Sequence, residues 1–357
     1  MRTLITGVRV FDGERTVPSA DVLIDGRFIA EPDDSPVDVR VDGTGKTLLP
    51  GLIDAHTHVF DGDLARALTF GVTTELDMFC LPGNLARQRR LAIGDDVADL
   101  RSAGVLATAP GGHPSQLMAS AGSYGDAAGP FDTIDDPARA EAFVQARLSE
   151  GADYLKIVVD SSHGLPVLAP AVVVALVEAG HAAGLRVVAH AVTVGDAQVV
   201  LDAGVDGLAH VVPGMGASLA SRVASQGVFV VTTLAYFESS AVPGLDRAAE
   251  RSVDAARALL EAGVPLLAGT DANPWAPRHG SSLHRELFLL TSAGLTPSQA
   301  LTSATSVTAH HFGLTDRGRI APGLRADLLL VDGDPTTDID ATTAITTLWR
   351  NGIYKDV

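Results

Sequence analysis

The sequence predicts an α/β protein in which a (β/α)₈ TIM barrel carries a small β-sandwich domain built from both chain ends. Three observations lead there. The middle of the chain alternates helix-like segments with apolar, β-rich runs. A glycine stands immediately before nearly every run, and the two termini share a short-strand character that the middle lacks. Strands nearly continuous in apolar residues, alternating with helices, make a parallel sheet covered on its outer face. Eight such units favour closure into a barrel over the alternative, an open doubly wound sheet.

Taken in order, residues 1–47 hold strand-like pieces, TLITGVRVFD and DVLIDGRFIA, parted by Gly and Pro turns. The first barrel strand is read at LLPGLIDAH (48–56). Seven more follow Gly71, Gly104, Gly151, Gly184, Gly204, Gly227 and Gly263. They are VTTELDM (72–78), VLATA (105–109), ADYLKIVV (152–159), LRVVAHAV (185–192), VDGLAHVV (205–212), VFVVTTLAY (228–236) and VPLLAGTDA (264–272). Glycine suits the left-handed position that ends a helix, and β-branched residues then favour extension. Helices are read at segments such as ARAEAFVQARLSE (138–150) and AVVVALVEAGHAA (171–183). The last barrel helix opens at Thr296-Pro297-Ser298-Gln299, a capping box with proline in the first turn. The tail, RADLLLVDGD (325–334) and ITTLWRNGIYK (345–355), again has short strands. The expected division is therefore 1–49 plus 320–357 for the composite β domain and 50–319 for the barrel.

Composition limits what such a protein does. A hydrophobic share of 46% supports a large core and excludes wholesale disorder. The net charge of −17, with a pI near 4.9, repels nucleic acid and anionic membranes, and no basic run offers a phosphate-binding stripe. Cys80 is the only cysteine, so no intrachain disulfide forms. The first ten residues lack a continuous apolar segment and a cleavage site, and no apolar run reaches the roughly 18 residues of a membrane span. The expectation is a cytoplasmic protein with a small-molecule substrate and no nucleic-acid or membrane partner; a homo-oligomer is compatible with it.

The chemistry sits at the strand ends. His56-Thr57-His58 closes the first strand, and positions i and i+2 of a strand face the same side. Alone, the pair is as consistent with packing as with function. His190 ends the fifth strand, His210 the sixth and Asp271 the eighth, each interrupting an apolar run where barrel enzymes place their sites. A single buried histidine usually has only a structural hydrogen bond, but four strand ends converging on His and Asp supply what Zn²⁺ or a similar ion requires. Lys156, between Leu155 and Ile157 on the fourth strand, bears on the number of ions. Desolvation lowers a lysine's pKa, and the neutral amine attacks CO₂ to give, after loss of a proton, a carbamate able to bridge two cations. A lysine reaching an acidic partner is the structural alternative.

These residues together resemble the amidohydrolase superfamily, and within it the binuclear, carboxylated-lysine branch with its prolidase and imidazolonepropionase-like relatives. LLPGLIDAHTH (48–58), HRELFLLTSAGLTPSQALTSAT (284–305) and GRIAPGLRADLLLVDGDP (318–335) extend the likeness over most of the chain. The resemblance implies His56, His58 and Asp271 on a buried ion. It implies His190 and His210 on a more exposed one, with carboxylated Lys156 and a hydroxide bridging. Zinc is the expected metal, although Mn²⁺ and Co²⁺ tolerate the same ligands. Asp271 is then the general base that passes a proton to the leaving group. The implied reaction is hydrolysis of an amide: a dipeptide, an N-acyl amino acid or a cyclic amide. A lactonase or phosphotriesterase on the same site, a mononuclear deaminase and a non-catalytic scaffold are the alternatives.

Residues expected to shape the substrate pocket are His113 in a glycine-rich loop after the third strand, His163 after the fourth, and Tyr236 at the end of the seventh. Arg278 and His279, after the eighth, complete the set. Each is equally readable as a loop or core residue without a ligand. Tyr154, on the same strand face as Lys156, is read as interior filling.

Overall fold

A computed structural model describes residues 1–120, 127–239 and 246–355. Positions 356 and 357, which the expected terminal domain includes, lie outside these. The fold is mixed α/β with parallel sheets at its centre. Five strands open the chain: β1 (Arg2–Phe11), β2 (Thr16–Asp25), β3 (Phe28–Ala30), β4 (Val39–Asp42) and β5 (Lys46–Pro50). The central strands are β6 (Leu52–Thr57), β7 (Val72–Asp77), β8 (Asp99–Ser102), β9 (Leu155–Val158), β10 (Val187–His190), β11 (Gly207–Ala209), β12 (Phe229–Val231) and β13 (Leu266–Leu267). The tail adds β14 (Leu328–Asp332), β15 (Ile345–Arg350) and β16 (Ile353–Lys355).

The terminal strands from both ends lie in one sheet, ordered β16-β15-β14-β5-β1-β2-β3 with β4 also on β1. The join between the termini is the antiparallel β5–β14 ladder, Leu48 against Leu330 and Pro50 against Leu328. Its apolar face buries Ile5, Val8, Ile24, Leu328 and Trp349.

The central strands form two parallel sheets, β6-β7-β8 and β13-β12-β11-β10-β9. Backbone hydrogen bonds stitch them together on both sides. Ala107 N donates to Lys156 O at 2.8 Å, and Val158 N to Ala107 O at 2.9 Å. Across the other seam, Asp271 N reaches His56 O and His58 N reaches Ala272 O, both at 2.8 Å. Gly269 permits this second seam, because a Cβ there would stand 2.4 Å from Val231 Cγ1 and 2.8 Å from His56 N. Alternate residues of the strands fill the interior: Ile53, Leu76, Ala103, Tyr154, Val188, Ala209, Phe229 and Leu267. Tyr154 is buried there as read from the sequence, its hydroxyl donating to Asp77 O at 2.8 Å.

The glycines stand at φ between 63° and 92°, and six of the seven follow a helix as expected. Gly104 does not. The third strand is the polar stretch Asp99–Ser102, and VLATA keeps only the isolated bridge of Ala107 to Ile157. Polar residues hold this strand because its lower end is an ion-pair site. Asp99 meets Arg325 at 3.0 Å and also Arg317, which bonds Thr74 Oγ1. The capping box at Thr296 and Gln299 is formed.

Candidate metal centre

Strand ends bring the predicted polar residues to one place. His56 and His58 leave β6 where its pairing with β7 shifts register between Asp54 and Thr57. Their Nε2 atoms lie 3.5 and 3.1 Å from Asp271 Oδ1, and the ligand atoms of the three residues are all within 4.8 Å of one another. The His210 ring stands 4.8 Å from that of His56 and 4.7 Å from that of His190. Lys156, paired in register with Val188, sits below them, 2% exposed.

The protonation states suit cation binding. Burial pushes the His56, His190 and His210 imidazoles down, toward their neutral form; neighbouring positive charge adds to this at His56 and His210, while the hydrogen bond to Asp160 partly opposes it at His190. Metal ligation requires that form. Burial also lowers the Lys156 ammonium to about 7, with Asp271 partly opposing. Among the described residues, Lys156 Nζ and His56 Nδ1 are buried without a hydrogen-bond partner, a costly condition for either atom alone. The acidic neighbour that the alternative reading of Lys156 calls for is Asp271, whose charge favours the ammonium without a hydrogen bond to it.

The remaining nitrogens are oriented by neighbours that the sequence reading passed over. His190 Nε2 donates to Asp160 Oδ2 at 3.1 Å, which leaves Nδ1 as its lone pair. His210 Nδ1 lies 2.8 Å from Thr233 Oγ1, which leaves Nε2. Both His210 and Thr233 sit at positive φ, 83° and 50°, and Asp271 at 57°. Such backbone in non-glycine residues persists where surrounding structure enforces it. Around Thr233 the enforcer is the buried Glu286, which accepts from Thr232 Oγ1, from Leu234 N at 3.0 Å and from Ala235 N at 2.7 Å. Asp160 interrupts the apolar run LKIVVD much as His190 interrupts its own, so a signal for it was present.

Behind β6 lies a buried acidic layer. Asp54 accepts from Thr270 N at 2.9 Å and Thr270 Oγ1 at 2.6 Å, tying the first strand to the eighth. Burial and the nearby Glu75 carry its pKa up to about 8. Glu75 lies 2.8 Å from His279 Nδ1, while His279 Nε2 donates to His58 O at 3.2 Å. Every partner of that ring is an acceptor. Despite burial, Glu75 and Asp63 raise its pKa to about 9.

His279 is thus a correction to the expected pocket residues: it is 1% exposed, with both nitrogens engaged beneath the histidine pair. Tyr236 is corrected in its element only. It lies in the first turn of the helix Leu234–Ser239 rather than on the seventh strand, which ends at Val231. Its ring packs 5.9 Å from Phe237, itself 6.4 Å from His210. His113 and His163 do come together, stacked at 4.7 Å, with His113 5.5 Å from His190. Arg278 is exposed and is fixed through its backbone N by Ser282 Oγ. No helix among the described residues is long and apolar enough to cross a membrane.

Comparison with known proteins bears on the family and the fold. The amidohydrolase family model matches residues 47–357. An imidazolonepropionase of Salinispora tropica is 28% identical, the match covering 83% of this chain and 80% of that protein. A Xaa-Pro dipeptidase structure with bound methionine in its active site superposes with a TM-score of 0.85 at 22% identity, over 100% of both chains. A prolidase complexed with N-methylphosphonate-L-proline gives 0.82 at 22% identity, again over 100% of both.

Proposed function

The chain belongs to the amidohydrolase family and is a hydrolase of C–N bonds, and from that premise we propose that it cleaves an amide with the help of two divalent ions. The observation that carries this reading is that His56, His58 and Asp271 gather their ligand atoms, the His210 ring bridges from His56 to His190 at 4.8 and 4.7 Å, and the buried Lys156 beside them has no hydrogen-bond partner among the described residues. The donor set fits. His56, His58 and Asp271 would hold the inner ion, and His190 through Nδ1 with His210 through Nε2 the other. Lys156 would lie between as its carbamate, formed when Nζ bonds to the carbon of CO₂ and gives up a proton. An anion there satisfies the orphaned Nζ position and balances the added positive charge. Zinc suits the nitrogen and carboxylate donors. Bound ions would supply an ionised water and a polarised scissile carbonyl.

The chain's own residues do the rest. Asp271, within 3.5 Å of both histidines of the first strand, takes the proton from the attacking water and hands it to the departing nitrogen. An amide nitrogen leaves poorly until protonated, so the second transfer matters as much as the first. Thr233 and Asp160 fix the imidazole tautomers. His113, His163 and Tyr236 line the approach, where they contact the substrate, and Arg278 stands at its exposed margin.

We read the fold as a closed (β/α)₈ barrel, residues 50–319, since the seams at Ala107 and Ala272 join the two parallel sheets on both sides. The strands of 1–49 and 320–357 form the composite β domain. The prolidase and dipeptidase neighbours favour dipeptides and N-acyl amino acids as substrates, and the imidazolonepropionase relative makes a cyclic amide the second choice.

The test is to strip the protein with a chelator and reload it with Zn²⁺, Mn²⁺ or Co²⁺ in bicarbonate. It is then assayed on Xaa-Pro dipeptides, N-acyl amino acids, cyclic amides, lactones and a phosphotriester. Metal-dependent release of an amine is expected. Hydrolysis of only the lactone or phosphotriester would replace the amide reading, and amide hydrolysis indifferent to metal would overturn it.

A further inference from the structure

A second cluster of donor atoms shares only His190 with the ligands just assigned. His113, Asp160 and His190 each offer one ligand atom, all within 4.8 Å of one another. Two imidazoles and a carboxylate are the smallest protein set that holds zinc in catalytic centres. Asp160 is 2% exposed, and its Oδ2 already gathers His190 Nε2 at 3.1 Å and His163 Nδ1 at 2.8 Å. Its Oδ1 is held by Ser162 N and Oγ at 2.8 and 2.6 Å. Of these partners, His163 is exposed and the readiest to give way to an incoming ion. His113 Nδ1 lies 2.8 Å from the Gln116 side-chain amide, and turning the amide oxygen to it leaves Nε2 as the lone pair.

We infer that His113, Asp160 and His190 form an outer position for a divalent ion, occupied when Lys156 is not carboxylated. The inference rests on the two-ion reading and says where the second ion goes when its bridging anion is missing. The two positions share His190 but use opposite faces of its ring. Serving the inner site, His190 carries its proton on Nε2, toward Asp160, and offers Nδ1. Serving the outer one, it offers Nε2 and carries the proton on Nδ1. A neutral imidazole has a single lone pair in the ring plane, so the positions exclude each other. What decides between them is the anion. The inner position depends on the carbamate of Lys156, and without it the ion faces a bare amine. The outer position has its own carboxylate, whose Oδ1 stays held by Ser162 N and Oγ while Oδ2 turns to the ion. An ion parked there stays on the protein, within one ring's reach of the working position.

The experiment loads the full chain with zinc, then dialyses it against metal-free buffer with bicarbonate or, in parallel, CO₂-depleted buffer. Zinc per chain is then counted in wild type and in His113→Ala. Wild type should keep its second equivalent in both buffers. His113→Ala should keep it with bicarbonate and lose it without. Loss from wild type on CO₂ depletion would overturn the outer position while leaving the two-ion reading intact. Retention by His113→Ala in depleted buffer would do the same. A single equivalent in wild type even with bicarbonate would remove both. Cadmium NMR of the wild type gives a check free of any variant. Both resonances must shift between the buffers, one because it loses the carbamate, the other because its ligands change from His190, His210 and carbamate to His113, Asp160 and His190. Two unmoved resonances would refute the inference.

Discussion

Replacing Thr233 with valine removes one atom of consequence, the hydroxyl 2.8 Å from His210 Nδ1. Valine keeps the shape and the β-branch, so the positive φ of 50° is no worse tolerated than before. His210 is 4% exposed, and water does not readily replace the lost partner. An unsatisfied buried nitrogen costs about 1–3 kcal/mol. Part of that cost disappears if the proton moves to Nε2, but Nε2 is the nitrogen assigned to the metal. The loss therefore falls on metal binding, about 10- to 100-fold in affinity for one ion, in the range known for such supporting contacts. The assay is competition with a chromogenic zinc chelator, run beside thermal unfolding of the metal-free protein. Thr233→Ser should bind within a few-fold of wild type. Unchanged zinc affinity in Thr233→Val, or an equal weakening of both ions, would refute the orienting role.

Three other outcomes follow from the same structure. Glu286→Ala leaves Leu234 N, Ala235 N and Thr232 Oγ1 without their acceptor; about 3 kcal/mol or more of stability should go, and the weaker zinc should go with it, both read by denaturant unfolding and metal counts. Asp99→Asn should cost about 1–3 kcal/mol at pH 7, since it takes one charged partner from buried Arg317 and half-buried Arg325, which keep Asp316 and Asp327. Against the upward pull of burial, Arg317, Arg101 and Arg325 hold the Asp99 carboxyl well below its ordinary value. Its contribution is therefore complete above that ordinary value and lost as pH falls through the depressed one; the gap between variant and wild type should narrow in strong acid, and a gap constant with pH would contradict the ion-pair account. Asp271→Asn should bind substrate but turn over at least about 100-fold more slowly, the usual share of general acid–base catalysis, so an unchanged kcat would remove its proton-transfer role.

The gathering of His56, His58, Lys156, His190, His210 and Asp271 was legible because a histidine or lysine within an apolar run is conspicuous, and strand periodicity says which way it faces. Their supports were less so. Asp160 had the same signature as His190, yet its partner lies 30 residues on, and only the β9–β10 pairing brings them together. His279 read as a loop histidine because Glu75, which buries it, is 204 residues away. Tyr236 looked like strand because TTLAY is rich in strand formers; Glu286, about fifty residues downstream, captures the backbone N–H groups there and starts a helix instead. The third strand was sought in apolar VLATA, whereas the ladder is made by DLRS, whose Asp99 is paired with arginines from the far end of the chain. In each case local composition was overruled by a charged partner distant in sequence. The composite terminal domain was visible at both ends, but the pairing of β5 with β14 places its strands in a single sheet.

The account stands most directly on how many ions the protein holds and what holds the second. Protein purified without chelator and kept in bicarbonate should contain two zinc equivalents per chain, with a carbon-13 carbamate signal that disappears in Lys156→Ala. One equivalent and no carbamate signal in the wild type would contradict it.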